Sequence, residues 1–572
     1  MKAPTPSLMK PADDREEVLF REALQWARGL KRVPVGELIQ NERAQSMKMN
    51  IAILNRPGRW FGNGYMMTPN NLFRHLAGSL PGVLLLCLLA ANGRAQVFTT
   101  LHNFTATSGT IYGVGTNSDG YRVPRGLLLS GNTLYGAAIR GGSGGCGTIF
   151  AVNANGTGFT TLHSFTATFV INHGNYDSTG TNSDGAFPNG GLILSGNTLY
   201  GTAECGASAG WGTVFALNTD GTGFTNLHNF TATSGSAGGG SGTNSDGAYP
   251  FDGLLLSGNT LYGTAQCGGS SGWGTVFALN TDGTGFTNLH TFSATTGSVG
   301  GDGINSDGAN PIGGLILSGS SLYGTAVQGG TAGYGTVFSF NTDGTGFRTL
   351  HSFTDGSDGG YPWDALILSG DTLYGTAEVG GSSGWGTVFA VNTNGTGFRN
   401  LHSFTGGSGG ADPRAGLILS GNTLYGTAFY SSASSGNGIV FAVNTNGTGF
   451  TILHAFAVPP NQEGNPAPEL VLSGTTLFGA SFADGAYGHG TVFSLSYPSP
   501  RLTIMPSGTN VNLTWPSAVA GFSYSAYTLQ STTNLAAPAV WATNSPAPVV
   551  VNGQNGVTNS ITGSQQFFRL SQ

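Results

Sequence analysis

The sequence predicts an all-β protein: a seven-bladed β-propeller closed by an N-terminal strand, followed by a small β-sandwich. Three observations carry that prediction. Glycine supplies 97 of 572 residues while charged residues supply only 8%, against about a quarter in an ordinary domain. A hydrophobic content of 39% with 10% aromatics is too apolar for a disordered linker, and no Gly-X-Y period suggests collagen. A hairpin motif recurs seven times, its aromatic at Tyr135, Tyr200, Tyr262, Tyr323, Tyr374, Tyr425 and, degenerate, Phe478. Repeats of this size mark solenoids or propellers.

Residues 1–65 differ from everything after them, with a charged stretch from Asp13 to Arg32 ending at Pro34. Met66 and Met67 then open a signal-peptide pattern: Arg74 and His75, an apolar run from Val83 to Ala91, and small residues Gly93 and Ala95 before Gln96. The expectation is that residues 1–65 are a mispredicted extension or a disordered or helical segment, that 66–95 form a signal peptide, and that the exported chain begins near Gln96. The apolar run is much shorter than the roughly 20 residues that span a bilayer. Cys87 follows Leu86, whereas a lipoprotein cysteine follows a small residue.

From Val97 onward the chain carries 8 arginines and no lysine against 20 acidic residues. Such a surface cannot neutralise runs of phosphate, which argues against nucleic acid and anionic membrane as partners. Cys146, Cys205 and Cys267 are odd in number and form no zinc spacing, so they read as small buried apolar residues.

Residues 96–497 hold the repeats. Each full unit offers four strands, as in LILS, TLYGTA, GTVFAVN and GFRNLHSF of the fifth copy, joined by Ser-Gly-Asn/Asp and Asn/Asp-Gly turns that supply positive φ. Consecutive apolar residues in the strands require both sheet faces to be buried, as in stacked blades. The ends decide between ring and solenoid. The first LHxF strand, Val97–Phe104, precedes any hairpin, and the last unit stops after Gly490-Thr491-Val492-Phe493 without one. The N-terminal strand therefore completes the last sheet and removes its exposed edge.

The run FTDGSDGGYPWDALILSGDTLYGTAEVGGSSGWGTVFAVNTNGTGFRNLHSF resembles the Gloeo/Verruco tandem repeat of secreted, choice-of-anchor bacterial proteins. The resemblance covers about residues 97–495 and implies export and varied anchoring, with no biochemical activity assigned. After Tyr497-Pro498-Ser499-Pro500, short β-patterned runs over 501–572 suggest a small sandwich similar to immunoglobulin or fibronectin type III modules, with Trp515 and Trp541 as core anchors.

Chemistry is sparse. Five G-x-S-x-G matches signal low complexity, because a nucleophile elbow needs a following helix. The repeated histidines, at 102, 163, 228, 290, 351, 402 and 454, stand too far apart to share a metal and are expected to hydrogen-bond within their own blades. Asp119, Asp184, Asp246, Asp307 and Asp358 offer one carboxylate per loop, short of a calcium set, and are expected to form Asx turns, with ligand contact as the functional reading. Only four glutamates follow the leader, Glu204, Glu378, Glu463 and Glu469, so no catalytic pair, metal or cofactor is named. An enzyme is the minor expectation.

Strand alternation puts the second-to-third loops and the inter-blade loops on one face. There, the start of the third strand carries Trp211, Trp273, Tyr334 and Trp385 in blades two to five, replaced by Cys146, Asn437 and His489 elsewhere. That arc is the candidate ligand surface, stacking a neutral or cationic glycan, with packing between blades as the alternative. The expectation is a monomeric, exported binding or adhesion protein, with a polysaccharide hydrolase or lyase as the alternative.

Overall fold

The computed structural model describes residues 96–572, except 112–113, 169–179, 235–241, 298–302, 431–437, 457–464, 467–468, 484, 536–538, 544–545 and 561–565. The expected signal peptide and the segment before it lie outside the described residues, as do Asn437 and Glu463.

Between Val97 and Ser496 the repeats fold into seven four-stranded antiparallel sheets, six of them built from consecutive strands. In the seventh, Val471–Ser473, Thr476–Ser481 and Thr491–Ser496 are joined by Val97–Asn103, which pairs antiparallel with Thr491–Ser496. The sequence prediction for this strand is met in register. The six sheets of consecutive strands read short, long, long, medium, as in Ile367–Ser369, Thr372–Ala377, Thr387–Asn392 and Arg399–Ser403.

Two glycines explain the repeat consensus. The LYGT glycine has no room for a side chain: a Cβ on Gly201 would stand 2.7 Å from the Phe215 ring and 2.9 Å from Leu192. The last glycine of NTDG lets the turn sit against the preceding sheet. Gly221 (φ +86°) meets the Leu162 carbonyl at 2.9 Å, a conformation and an approach only glycine accepts cheaply.

In every sheet the pairing of third and fourth strands shifts at the LHxF leucine, a β-bulge. The bulge re-aims the next side chain, and the histidine that follows stacks flat on a phenylalanine of the next sheet. His163 lies on Phe224 at 4.0 Å and His228 on Phe286 at 3.8 Å. The series continues through His454, on Phe98 of the N-terminal strand, and returns through His102, on Phe159 of the first sheet. Apolar clusters fill the same seams. One joins Leu101, Phe104, Phe478 and Val492 of the seventh sheet to Leu127, Leu134 and Phe150 of the first. Cys146, Cys205 and Cys267 are buried in another, as small core residues.

Residues 501–572 form a four-stranded and a three-stranded antiparallel sheet, packed through Leu513, Trp515, Leu529 and Val557. Trp515 is the expected core anchor. Trp541 is not: it is only half-buried and lies under the Arg569 guanidinium, 4.3 Å from its ring centre. The segment Phe522–Tyr524 docks onto the sixth and seventh sheets, where Phe522 joins Tyr425, Leu453 and Tyr497 and the Ser523 amide donates to the Tyr425 hydroxyl. No helix among the described residues is long and apolar enough to cross a membrane.

Candidate functional site

The NSDG aspartates point inward. His102 Nε2–H donates to Asp119 Oδ2 (3.0 Å), the Thr105 amide donates to the same oxygen (3.0 Å), and the Thr105 hydroxyl donates to Oδ1. The arrangement recurs at His163–Asp184, His228–Asp246, His290–Asp307 and His351–Asp358. Burial pushes Asp119, Asp246 and Asp307 up, but the hydrogen bonds from His, Thr or Ser outweigh it and hold them below the usual carboxylate value. Each of these five histidines thus finds its partner in the connector to the next sheet, not inside its own. The turn is capped by the asparagine instead: Asn117 Oδ1 accepts from the Gly120 and Gly142 amides. Where Gly409 replaces the aspartate, His402 keeps only its stack on Phe450, and burial pushes it down to about 4.

The aromatic arc lies along the seams. Trp273 is buried at 7% exposure against Val276, Phe292 and Phe338. Trp211, Tyr334 and Trp385 keep part of their rings at the surface and pack against the same inter-sheet cores. Their backbone carbonyls accept amides from residues of the next sheet's approach: Tyr249 to Trp211, Asn310 to Trp273, Tyr361 to Tyr334, Asp412 to Trp385. Those partners share a left-handed backbone, φ 52–57°, a conformation rarely adopted by non-glycine residues. Tethered at both ends, this approach fixes the residues that enter the first strand three positions later.

At that point the inner strands converge on a cavity of about 170 Å³ lined by Arg125, Asp252, Asp364 and Glu469, with Gly126, Gly191, Gly253, Gly314 and Ala365 as its floor and walls. Arg125, Gly190, Asp252, Gly313, Asp364 and Ala415 occupy one repeat position, two before the buried inner leucine. Glu469 sits one residue later, where the other six repeats carry glycine or alanine. Arg125 Nη1 donates to Asp364 Oδ2 at 3.0 Å, and its Nε stands 3.5 Å from Asp252 Oδ1. The Gly416 and Ala365 amides complete Asp364, and the Gly253 amide donates to Asp252 Oδ1.

One guanidinium cannot neutralise three buried carboxyls. Burial, helped by Asp364 and opposed by Arg125, pushes Asp252 up to about 7. Burial with Asp364 and Asp252 pushes Glu469 up to about 8. Arg125 is held above its ordinary value, because the three acids outweigh its own burial.

Cations also lie on rings elsewhere in the repeats. Arg414 pairs with Glu378 and covers Trp363 and Phe429, at 5.6 and 5.0 Å from the ring centres. Trp363 Nε1–H donates to Glu378 Oε2. Arg122 covers Phe482, Arg125 covers Phe251, and Arg140 covers Phe187. Asp412 is pushed up to about 6 by burial and Glu378, against Arg414, and burial also raises Glu204 despite the Asn189 amide and Arg140. Of the charged groups, Arg125, Asp252, Asp364 and Glu469 line the cavity itself. Clustered charge with shifted carboxyls in a cleft marks a functional site.

Sequence reasoning missed this constellation. The repeat was read for what its copies share, whereas the central residues are those in which copies differ. A column comparison would have exposed them: arginine, glycine and aspartate at one position, and a glutamate among glycines at the next.

A repeat array of four-stranded antiparallel sheets with a charged central cleft defines an all-β scaffold of the β-propeller class. Residues 174–301 and 299–493 match the Gloeobacter/Verrucomicrobia repeat, more than half of the chain, and the protein belongs to that family. No curated protein matches the sequence. Solved structures resemble it remotely. PorZ, a surface component of the type-IX secretion system of Porphyromonas gingivalis, is 12% identical, with a TM-score of 0.40 over 82% of this chain and 59% of its own. An oligogalacturonate lyase in complex with manganese is 11% identical, TM-score 0.39, over 71% and 98%. A chain of a nidogen/laminin complex is 16% identical, TM-score 0.30, over 49% and 80%.

Proposed function

We propose that this chain is an exported carbohydrate-binding protein, built on a closed seven-bladed propeller, that takes its ligand at the mouth of the central cavity. The observation that carries the reading is the cluster of Arg125, Asp252, Asp364 and Glu469 lining that cavity, with the Phe251 ring under Arg125, on a chain otherwise poor in charge. Saccharide recognition combines ring faces for stacking with planar polar groups for hydroxyls; Phe251 lies under Arg125 of the cavity, and Trp363, one residue before Asp364, lies with Phe429 under Arg414. The exposed parts of Trp211, Tyr334 and Trp385 form the outer wall of the same face, while Trp273 serves packing. Closure is supported by the cyclic His–Phe stacking and by the core shared between first and seventh sheets.

Export rests on the leader pattern ending at Ala95, and mass spectrometry of the secreted form should find its N-terminus near Gln96. The two C-terminal sheets fit an immunoglobulin-like sandwich fixed to the propeller. Glycan-array binding by the purified chain tests the function. The parent should bind at least one saccharide class, and Trp363→Ala should reduce that binding several-fold at unchanged fold. An array with no bound saccharide overturns the proposal. A polysaccharide-cleaving role is the second reading, favoured by two carboxyls held at about 7 and about 8, a range suited to general acid–base work. Release of reducing ends from the bound polymer would establish it.

A further inference from the structure

The central cavity holds three carboxyls against one guanidinium, and two of its polar groups point at nothing. Asp252 is more than nine-tenths buried, and its Oδ2 makes no hydrogen bond, the Gly314 amide facing it only at longer range. Arg125 is equally buried, and its Nη2 donates to nothing. The site therefore presents an unpaired carboxyl oxygen and an unpaired guanidinium N–H in one cavity, with Glu469 in the same lining. A ligand that satisfies both carries a cation for the carboxylates and an oxygen lone pair for the guanidinium. Metal ions do not meet that description, and no group of three His, Cys, Asp or Glu among the described residues is placed to hold one.

Resting on the carbohydrate-binding reading above, we infer that the central cavity is an amino-sugar subsite, in which a protonated amine meets Asp252 and Glu469 and a neighbouring hydroxyl oxygen accepts from Arg125. A hexosamine offers that pair of groups on adjacent carbons, and the excess of carboxyls selects it over its neutral N-acetylated form and over an acidic sugar. The charged and titratable groups facing one another here are Arg125, Asp252, Asp364 and Glu469. In the free protein the excess negative charge is relieved by protons on Asp252 and Glu469. A bound ammonium replaces those protons, so binding at neutral pH releases them to solvent.

Isothermal titration calorimetry of the full chain provides the test. The probes are a β-1,4-linked glucosamine tetramer, its fully N-acetylated counterpart and a galacturonate tetramer, at about pH 5.5, where the sugar amine is protonated and galacturonate is ionised. Titrations in two buffers of different ionisation enthalpy count protons. The expected result is binding of the glucosamine tetramer at least about tenfold tighter than the other two, with net proton release. Asp252→Asn and Glu469→Gln should each remove most of that preference while keeping a cooperative melt, that of Glu469→Gln at or above the parent's Tm. Equal binding of glucosamine and N-acetylglucosamine tetramers, or binding without proton release that Asp252→Asn leaves intact, overturns the amino-sugar assignment and leaves the carbohydrate reading standing. Failure of all three tetramers overturns the assignment too, and the glycan array then decides separately whether any saccharide is bound.

Discussion

Trp273 and Trp363 lie on the same face of the molecule and should fail in opposite ways. Trp273 is fully enclosed in the seam between third and fourth sheets, so Trp273→Ala removes a large ring from a packed core at a cost of about 3–5 kcal/mol. Unfolding entropy of about 2.1 cal/mol/K per residue over the roughly 400 residues of the seven sheets amounts to about 0.8 kcal/mol/K. The substitution should therefore lower Tm by about 4–6 °C. Trp363 is partly exposed, and its removal costs the hydrogen bond to Glu378 and the cover of Arg414, about 1 kcal/mol and a shift of about 1–2 °C. Thermal melts followed by circular dichroism, run beside array binding, separate the two. Trp273→Ala should melt low and, below its transition, bind as the parent does; Trp363→Ala should melt near the parent and bind weakly. A Trp273→Ala protein that melts with the parent but has lost its ligand would refute the assignment of that ring to packing.

Other predictions follow from the same geometry. Asp246→Ala strands the His228 ring, the Thr231 amide and the Thr231 hydroxyl, and should cost about 2–3 kcal/mol in urea unfolding. Because Asp119, Asp246 and Asp307 are depressed in the folded protein, their contribution is present above the ordinary aspartate pKa and lost as pH falls through their lowered values. An acid melt should show the loss below about pH 4, and Asp246→Asn should reduce its slope. Glu469 titrates in the other direction. Its folded value is raised to about 8, so stability declines as pH rises from the ordinary glutamate range through that value. Glu469→Gln should match the parent at about pH 5 and exceed its Tm by about 2–4 °C at about pH 9, and equal melting at both would contradict the assignment. Deleting Val97–Phe104 removes the fourth strand of the seventh sheet with Phe98 and Phe104. The truncated chain should aggregate or melt at least about 5 °C lower, as seen by light scattering during a thermal ramp.

The strands, the turns and the partner of the N-terminal strand were legible because each is dictated locally and repeated seven times. Alternating turn glycines, runs such as TVFAL, an orphan LHxF before the first hairpin and a last unit lacking one leave little freedom. The histidine partner was not legible. A β-bulge at the preceding leucine turns His228 away from its own sheet and toward Asp246, 18 residues on, and bulges leave little trace in composition. Trp541 looked like Trp515 in its β-patterned surroundings, yet it covers Arg569 at the edge of the C-terminal module. The central charges were hidden for a different reason. Arg125, Asp252 and Asp364 are far apart in sequence, and only the packing of different sheets brings the guanidinium to within 3.0 Å of Asp364 and 3.5 Å of Asp252.

The account's central claim is that ligand is held where the inner strands meet. The most direct measurement is a crystal structure of the exported chain soaked with the saccharide that binds most tightly on the array. It should show density over Phe251 and Trp363, reaching Arg125 and Asp252. Density confined to the C-terminal module, or to the hairpin face opposite the inter-sheet loops, would contradict the account.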